Sequence, residues 1–247
     1  MIKNIVVLSD LQSPYHDVAA TEAIKKFIYW YQPETVVSVG DEIDLPQLSR
    51  WEEGGEGEWQ RDLGRHRDIT VKLLKDLTVE HIVRSNHSDR LYNKIKGRAP
   101  GFLGLPELKI EQFLKLDELG ITYHHTSYQL APGWILMHGD EGNVQPTAGA
   151  TALGLAKRSG MSVVCGHTHR MGLTHYTQSW ASGSKTVWGM EVGHLMDHRR
   201  HAKYIKSGLF TWQQGFGILH VDGKTVTPQL VPIVNRSFTV NGKVFKW

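Results

Sequence analysis

The first forty residues constrain the fold most. Residues 3–9 (Lys-Asn-Ile-Val-Val-Leu-Ser) form a short β-branched run, apolar on both faces, as a buried strand must be. From Val18 to Tyr31, Ala19, Ala23, Phe27 and Trp30 recur at helical spacing, and Pro33 ends the helix. Thr35–Val39 is a second strand. Strand, helix and strand this close together make a βαβ unit, which demands a parallel pair and a right-handed crossover. A longer helix is expected over Glu58–Leu77, on Leu63, Ile69, Leu73, Leu74 and Leu77, leading into a third strand at Glu80–Arg84.

Short helical pieces follow around Asp89–Lys96 and Leu108–Leu119. Strand-like runs at Trp134–Met137 and Met161–Cys165 then flank a helical Ala148–Ser159. Beyond them the pattern is mainly β. Asp222-Gly223 marks a hairpin between Phe216–Val221 and Lys224–Val231, and Asn241-Gly242 marks another between Ser237–Val240 and Lys243–Lys246. The acidic, Gly-rich stretch Trp51–Trp59, within an insert over 46–60, reads as a mobile surface loop, and its two tryptophans are expected to pack more readily than to stack a base. An α/β first half and a β-rich part over 171–247 are expected to share one core in a single domain, 1–247. No repeat or low-complexity tract interrupts it.

Composition bounds the chemistry. With 247 residues the chain is long enough to bury a large core without staples. Its 40% apolar and 21% charged residues suit a soluble globular protein. Cys165 is the single cysteine, which excludes a disulfide framework and a four-cysteine zinc module; it reads as a small core residue. No apolar run approaches the ~20 residues of a membrane span, and the first apolar stretch ends at Ser9-Asp10 with no small-residue cleavage site. A cytoplasmic protein with no membrane partner is the expectation. The net charge of +3 is too small to argue for nucleic acid. Fourteen histidines are a stronger signal, because imidazole is the commonest metal ligand and acid–base group.

Several motifs are missing. There is no Gly-x-Ser-x-Gly elbow. Gly223-Lys224-Thr225 sits in a hairpin and lacks the first glycine of a phosphate loop, and Gly215-Phe216-Gly217 runs into His220 where a dinucleotide fingerprint needs glycine. What remains lies at strand ends: Asp10, then Gly40-Asp41-Glu42-Ile43-Asp44, then Asn86-His87, His138-Gly139-Asp140, and Gly166-His167-Thr168-His169. Any one of these reads more readily as a turn residue or a satisfied polar group. Ligands of α/β sheets bind just beyond the carboxyl ends of strands, and five of five such edges carry oxygen or nitrogen ligands.

This ordered set resembles the calcineurin-like metallophosphoesterase family, over about residues 5–170, with Gly166-His167-Thr168-His169 as its most specific piece. The resemblance implies a four-layer α/β/β/α metallophosphatase sandwich with mixed sheets and a site for two divalent metal ions, Mn²⁺ first, with Fe, Zn²⁺ or Ni²⁺ as alternatives. It implies that Asp41 bridges the ions, that Asp10 and His169 hold one, and that Asn86, His138 and His167 hold the other. His87 would be the proton donor, and Asp44 would orient it or the residues around the ligands. The sequence departs from the family pattern at Gln12, where the family has histidine, at Ser85 before Asn86, and at Ser88 after His87, with Asp89 as a substitute one position later. Gln12 would then be a weak ligand, and His16 a candidate to replace it.

The implied reaction is metal-assisted hydrolysis of a small, nucleotide-like phosphoester, cyclic nucleotides included. A DNA nuclease of the same chemistry and a non-catalytic scaffold are the alternatives, and a homo-oligomer is compatible with either. Protein phosphatase activity is disfavoured, since Leu45-Pro46-Gln47 lacks that branch's Arg-Gly-Pro. The basic stretch Gly193–His201 reads either as a solvated loop or, through His194, Arg199 and Arg200, as a clamp on substrate phosphate. His124 and His125 match no strand end of the pattern and read as structural or surface residues.

Overall fold

The alternation along the first strand explains the layering. A computed structural model describes residues 2–200 and 210–247. In it β1 (Lys3–Leu8) sends Val6 and Leu8 into one buried core and Ile5 and Val7 into another. A strand apolar on both faces must be covered on both faces. The outer cover is α1 (Val18–Tyr31) and α2 (Leu63–Asp76), which contribute Ala20, Ile24, Phe27, Leu73 and Leu74 to the first core. The inner cover is a second sheet.

The first sheet has the order β11 (Thr225–Pro232), β10 (Gly215–Asp222), β1, β2 (Thr35–Ser38), β3 (His81–Val83), β4 (Thr122–His124). Its strands β1 to β4 run parallel, and β10 joins β1 antiparallel, Val6 opposite Ile218. The second sheet has the order β5 (Tyr128–Ala131), β6 (Trp134–Leu136), β7 (Ser162–Cys165), β9 (Gly183–Val192), β8 (Met171–Trp180), with β6, β7 and β9 parallel. Val37, Val39 and Leu219 of the first sheet meet Leu136, Val164 and Met190 of the second in the middle core. On the far side Val163 and Cys165 pack against Ala152, Leu155 and Ala156 of α6 (Ala150–Ser159). The stack is helix, sheet, sheet, helix: an α/β/β/α sandwich of two mixed sheets. None of the described helices is long and apolar enough to cross a membrane.

α1 matches the sequence expectation end for end. Asp17 caps it, accepting from Ala19 N and Ala20 N at 3.1 and 3.0 Å, and Gln32 closes it in the left-handed region just before Pro33. The hairpin of β12 (Ser237–Val240) and β13 (Lys243–Lys246) seals its outer side, where Phe27 meets Phe216, Phe238 and Phe245 with ring centres 5.2 to 5.7 Å apart.

Five local expectations need correction. The second long helix starts at Leu63 instead of Glu58, because Gly54, Gly55 and Gly57 favour turns over helix. Trp51, in a single helical turn over Arg50–Glu52, and Trp59 are 70% and 74% exposed instead of packed, with the Arg50 guanidinium 4.6 Å above the Trp51 ring. The stretch Leu108–Leu119 is two short helices, α4 (Ile110–Phe113) and α5 (Leu116–Leu119), parted at Lys115, whose φ of 53° is not helical. The third helical piece, α3 (Asp89–Arg98), runs two residues past its expected end. His124 does end a strand, β4, and its role there is structural: it stacks on Tyr128 at 4.2 Å and shares a 3.2 Å hydrogen bond with His81.

Candidate metal centre

Parallel strands release their loops at one end, so the carboxyl ends of β1, β2 and β3 and those of β6 and β7 form one rim. Asp10, Asp41 and Asn86-His87 leave the first sheet there, and His138 and His167–His169 leave the second. Cross-loop hydrogen bonds hold the rim together. Gln12 N donates to Asp41 O at 2.8 Å, Gly166 N to His138 O at 2.9 Å, and His167 N to Asp10 Oδ2 at 3.0 Å. The backbone is strained to meet these demands. Asp10, Gln12, Asp41, His167 and His169 all have φ between 43° and 64°, a region that costs L-residues roughly 1–2 kcal/mol each. Gly40 precedes Asp41 at φ 105°; a Cβ there would lie 2.6 Å from Ser85 Cβ and 2.9 Å from His138 Nδ1. Only glycine fits.

Two groups of ligand-type atoms result, each within 4.8 Å: Asp41 with His138 and His167, and Asp10 with Asp41 and His169. Asp41 belongs to both. Gln12 lies beside the second group, its amide nitrogen 3.1 Å from His169 Nε2, and Asn86 lies beside the first, its Oδ1 2.8 Å from His138 Nε2. His16 lies in neither group; it is buried where the chain bridges to Met196.

The donor set fits cations. His138 Nδ1 is 2.8 Å from the Val39 carbonyl, which can only accept, so Nδ1 carries a proton and donates it. In a neutral ring Nε2 would then present a bare lone pair to Asn86 Oδ1 and to Asp41 Oδ2 at 3.4 Å. Three acceptors facing one another need a proton or a metal ion among them. The same conflict recurs at the other group, where Asp10 Oδ1 is buried without a hydrogen bond, 3.1 Å from His169 Nε2. The charges agree. Burial raises the Asp41 carboxyl, but His138 and His87 outweigh it and hold it well below the usual range. Burial likewise raises Asp10, and His169 overcomes it. Burial opposes the His138 imidazolium, yet Asp41 beside it lifts the ring to about 10. His167, by contrast, is lowered by burial and by His138.

His87 stands next to this cluster. Its Nδ1 is 3.1 Å from Asp44 Oδ1, its Nε2 is 3.7 Å from Asp41 Oδ2, and Arg90 Nη2 is 2.9 Å from that same Nε2. An arginine can only donate, so Nε2 accepts from it and the His87 proton sits on Nδ1, toward Asp44. Arg90 also bonds the Asp44 carbonyl. Asp89 does not flank His87 as a substitute acid: it is bound by Arg84 Nε and Nη2 at 2.9 and 2.6 Å. The two serine departures compensate each other. Ser85 N donates to Ser88 Oγ at 2.9 Å, Ser88 N to Ser85 Oγ at 3.2 Å, and Tyr123 OH meets Ser88 Oγ at 2.9 Å, so the loop carrying Asn86 and His87 is tied at both ends.

The remaining candidates fall around the rim. His194 is buried, its ring 5.8 Å from that of His169. Arg199 is exposed near Asp197, and the Arg200 guanidinium lies 5.9 Å from the Tyr15 ring. His201 lies outside the described residues. Sequence reasoning missed Arg84, Arg90 and Trp212. Arg84 Nη1 reaches Asp140 Oδ1 at 2.7 Å and so joins the loops of the two sheets, and Trp212 meets His169 edge-on at 4.5 Å. Arg90 had one signal, its i+3 spacing from His87 at a helix start; the other two depend on how the sheets face each other.

No family model matches the chain. Two phage proteins resemble it over their full length. The gene 54 protein of Mycobacterium phage D29 is 38% identical over 255 residues, and that of Mycobacterium phage L5 is 36% identical over 255 residues, each covering 100% of both chains. A solved structure, wild-type Vps29 from Entamoeba histolytica complexed with zinc, is similar at 13% identity over 98% of this chain and 95% of its own, with a TM-score of 0.46.

Proposed function

The chain belongs to the family of the mycobacteriophage gene 54 proteins, and we propose that it is a metal-dependent phosphoesterase that hydrolyses nucleotide-like phosphodiesters. The observation that carries this reading is Asp41, one carboxylate shared by two ligand groups. A single carboxylate with histidines on both sides is what a pair of divalent cations needs to sit close together. Asp10, Gln12, Asp41 and His169 would hold one ion, and Asp41, Asn86, His138 and His167 the other. Such mixed oxygen and nitrogen donors suit Mn²⁺, with Fe, Zn²⁺ and Ni²⁺ as alternatives. When bound, two such ions supply Lewis acidity at phosphorus and lower the pKa of a water toward neutrality.

The protein's own groups do the rest. Asp44 Oδ1, 3.1 Å from Nδ1, holds the His87 ring by charge with Nε2 toward Asp41 and the reacting ester. Protonation of Nε2 from solvent ends its hydrogen bond with Arg90, whose guanidinium stays tied to Asp44. His87 then passes the Nε2 proton to the leaving oxygen. The strained loops hold both ligand groups in place before substrate arrives, so little reorganisation is left for the reaction itself.

The test is an assay of chelator-stripped protein reloaded in turn with Mn²⁺, Zn²⁺ and Mg²⁺, against bis-p-nitrophenyl phosphate, its monoester and a panel of cyclic nucleotides. Diester turnover restored best by Mn²⁺ is expected. Tight binding of two ions with no turnover on any ester would overturn the proposal.

A further inference from the structure

A cavity of about 700 Å³, lined in part by His194 and Trp212, lies one ring away from His169. That volume suits a nucleotide-sized ligand. Trp212 forms one wall and also contacts His169, ring to ring at 4.5 Å, so the cavity is separated from the candidate metal ligands by that ring alone. Phe210 stands 5.5 Å from Trp212 and is 43% exposed, which leaves two aromatic surfaces facing the space. Val234, Asn235 and Arg236, from the turn Val234–Ser237, also line it.

That turn is the second observation. Val234 and Ser237 exchange backbone hydrogen bonds of 2.9 and 3.0 Å around Asn235 and Arg236, whose φ values are 50° and 57°. A two-residue turn with both central residues left-handed favours Asn-Gly. The same chain uses Asn-Gly in the same geometry a few residues later, where Asn241 and Gly242 have φ of 50° and 77°. At 235–236 the glycine is replaced by arginine, against the local backbone preference. The guanidinium is exposed and forms no ion pair or side-chain hydrogen bond with the described residues, and residues 201–209 contain no aspartate or glutamate. A strained position that holds a free cation at the mouth of an aromatic cavity points to an anionic ligand.

We propose that the cavity is a nucleotide subsite in which Trp212 and Phe210 stack the base and Arg236 binds a phosphate other than the one hydrolysed. The substrate class is therefore a nucleoside phosphoester bearing at least two phosphates. The inference rests on the phosphoesterase reading, which identifies the neighbouring cluster as the place of reaction. Base stacking on an aromatic ring tolerates any base, so Arg236 selects for phosphate number and not for base identity.

The experiment is calorimetric titration of the Mn²⁺-loaded protein with adenosine, adenosine monophosphate and the methylene-bridged analogue of adenosine diphosphate. In the natural protein the two-phosphate ligand should bind about tenfold tighter than the monophosphate, the value of one charge-assisted contact. Arg236→Gly should erase that step while leaving adenosine affinity in place, and Trp212→Ala should weaken all three ligands. Arg236→Gly should also raise the Tm by about 1–3 °C, because relief of the left-handed strain outweighs the freedom glycine adds to the unfolded chain. A purely structural arginine would give the opposite sign. Equal affinities for the one- and two-phosphate ligands, or an unchanged step in Arg236→Gly, would overturn the subsite. Hydrolysis of bis-p-nitrophenyl phosphate by the natural protein is measured alongside. Its absence with every metal would refute the phosphoesterase reading, while the titrations still decide the subsite.

Discussion

Arg84 is the tie between the two sheets at the candidate site, and replacing it tests whether that tie positions the ligands. Its Nε and Nη2 donate to Asp89 Oδ2 at 2.9 and 2.6 Å, and its Nη1 donates to Asp140 Oδ1 at 2.7 Å. Asp140 follows His138 by two residues, and Arg84 precedes Asn86 by two. Both aspartates hold the guanidinium in its charged form. Charge-assisted contacts of this kind contribute ~1.5–3 kcal/mol each when dry. Here the side chains are 27%, 35% and 16% exposed for Arg84, Asp89 and Asp140, so water screens part of that. Arg84→Met should therefore cost about 2 kcal/mol, which for a chain of this length lowers the Tm by roughly 4–8 °C. The loss includes repulsion between the two aspartates left facing each other. Asp140→Asn relieves that repulsion, so the double variant should be more stable than the sum of the singles by about 1 kcal/mol. Thermal unfolding of all four proteins gives the cycle. Groups that orient ligands typically affect metal affinity 10–100-fold, so Mn²⁺ titration of Arg84→Met should show a loss in that range at the His138 group. Additive single variants together with unchanged Mn²⁺ affinity would refute the reasoning.

Asp41→Asn should strip both ions together, whereas His167→Ala should release one; elemental analysis of the purified variants separates the two, and an Asp41→Asn protein that keeps two ions overturns the shared role. His87→Ala should keep both ions and slow hydrolysis by about 10²–10⁴, with a smaller loss for p-nitrophenyl esters, whose leaving group needs little protonation; an equal loss across leaving groups removes His87 from the acid role. His16 is lowered from 6.5 to about 4 by burial and by Arg200, so folding disfavours its charged form. As pH falls from 6.5 toward 4 the unfolded chain takes up the proton first, and stability should drop through that window by up to ~3 kcal/mol, then level off below it. His16→Gln should flatten this part of a Tm-versus-pH curve.

The strand ends were legible in the sequence because short buried strands have a sharp signature: an apolar run that stops at a polar residue. β1, β2, β3, β6 and β7 all carry it, and each delivers a side chain to the rim. The β8–β9 ribbon was legible only as a β-rich region. β8 is exposed along most of its length and shows no alternation. It is held by cross-strand pairs such as Thr177 with Thr186, at 2.8 Å, and His175 with Trp188, and pairing of that kind has no signature in one strand alone. Arg84 was hidden for a related reason. Its value depends on Asp140, 56 residues away on the other sheet, and on the angle at which the two sheets meet. The serines at 85 and 88 looked like departures from a pattern, yet each satisfies the other, so the local sequence concealed a compensated change.

The rim also explains why ions should matter to the fold and not only to reaction. Five non-glycine residues there are held in left-handed backbone, and Asp10 and Asp41 are buried within one group with their oxygens facing imidazole nitrogens. Without cations, protons on the imidazoles must offset those carboxylates, and each must be kept charged out of contact with water. Metal ions remove that demand, since they bind the neutral rings and the carboxylates together. A ligand that binds only the folded chain stabilises it by RT ln(1 + [L]/Kd), about 2.7 kcal/mol at a hundredfold excess over Kd. Stripping the ions with a chelator should therefore lower the Tm by roughly 5–10 °C. Restoring Mn²⁺ should recover it in proportion to the logarithm of its concentration. The Asp41→Asn protein should show almost none of this recovery. If chelation leaves the Tm unchanged in the natural protein, the strained loops are stable by themselves, and the carboxylate–imidazole groups are a closed network of side chains and not a metal centre.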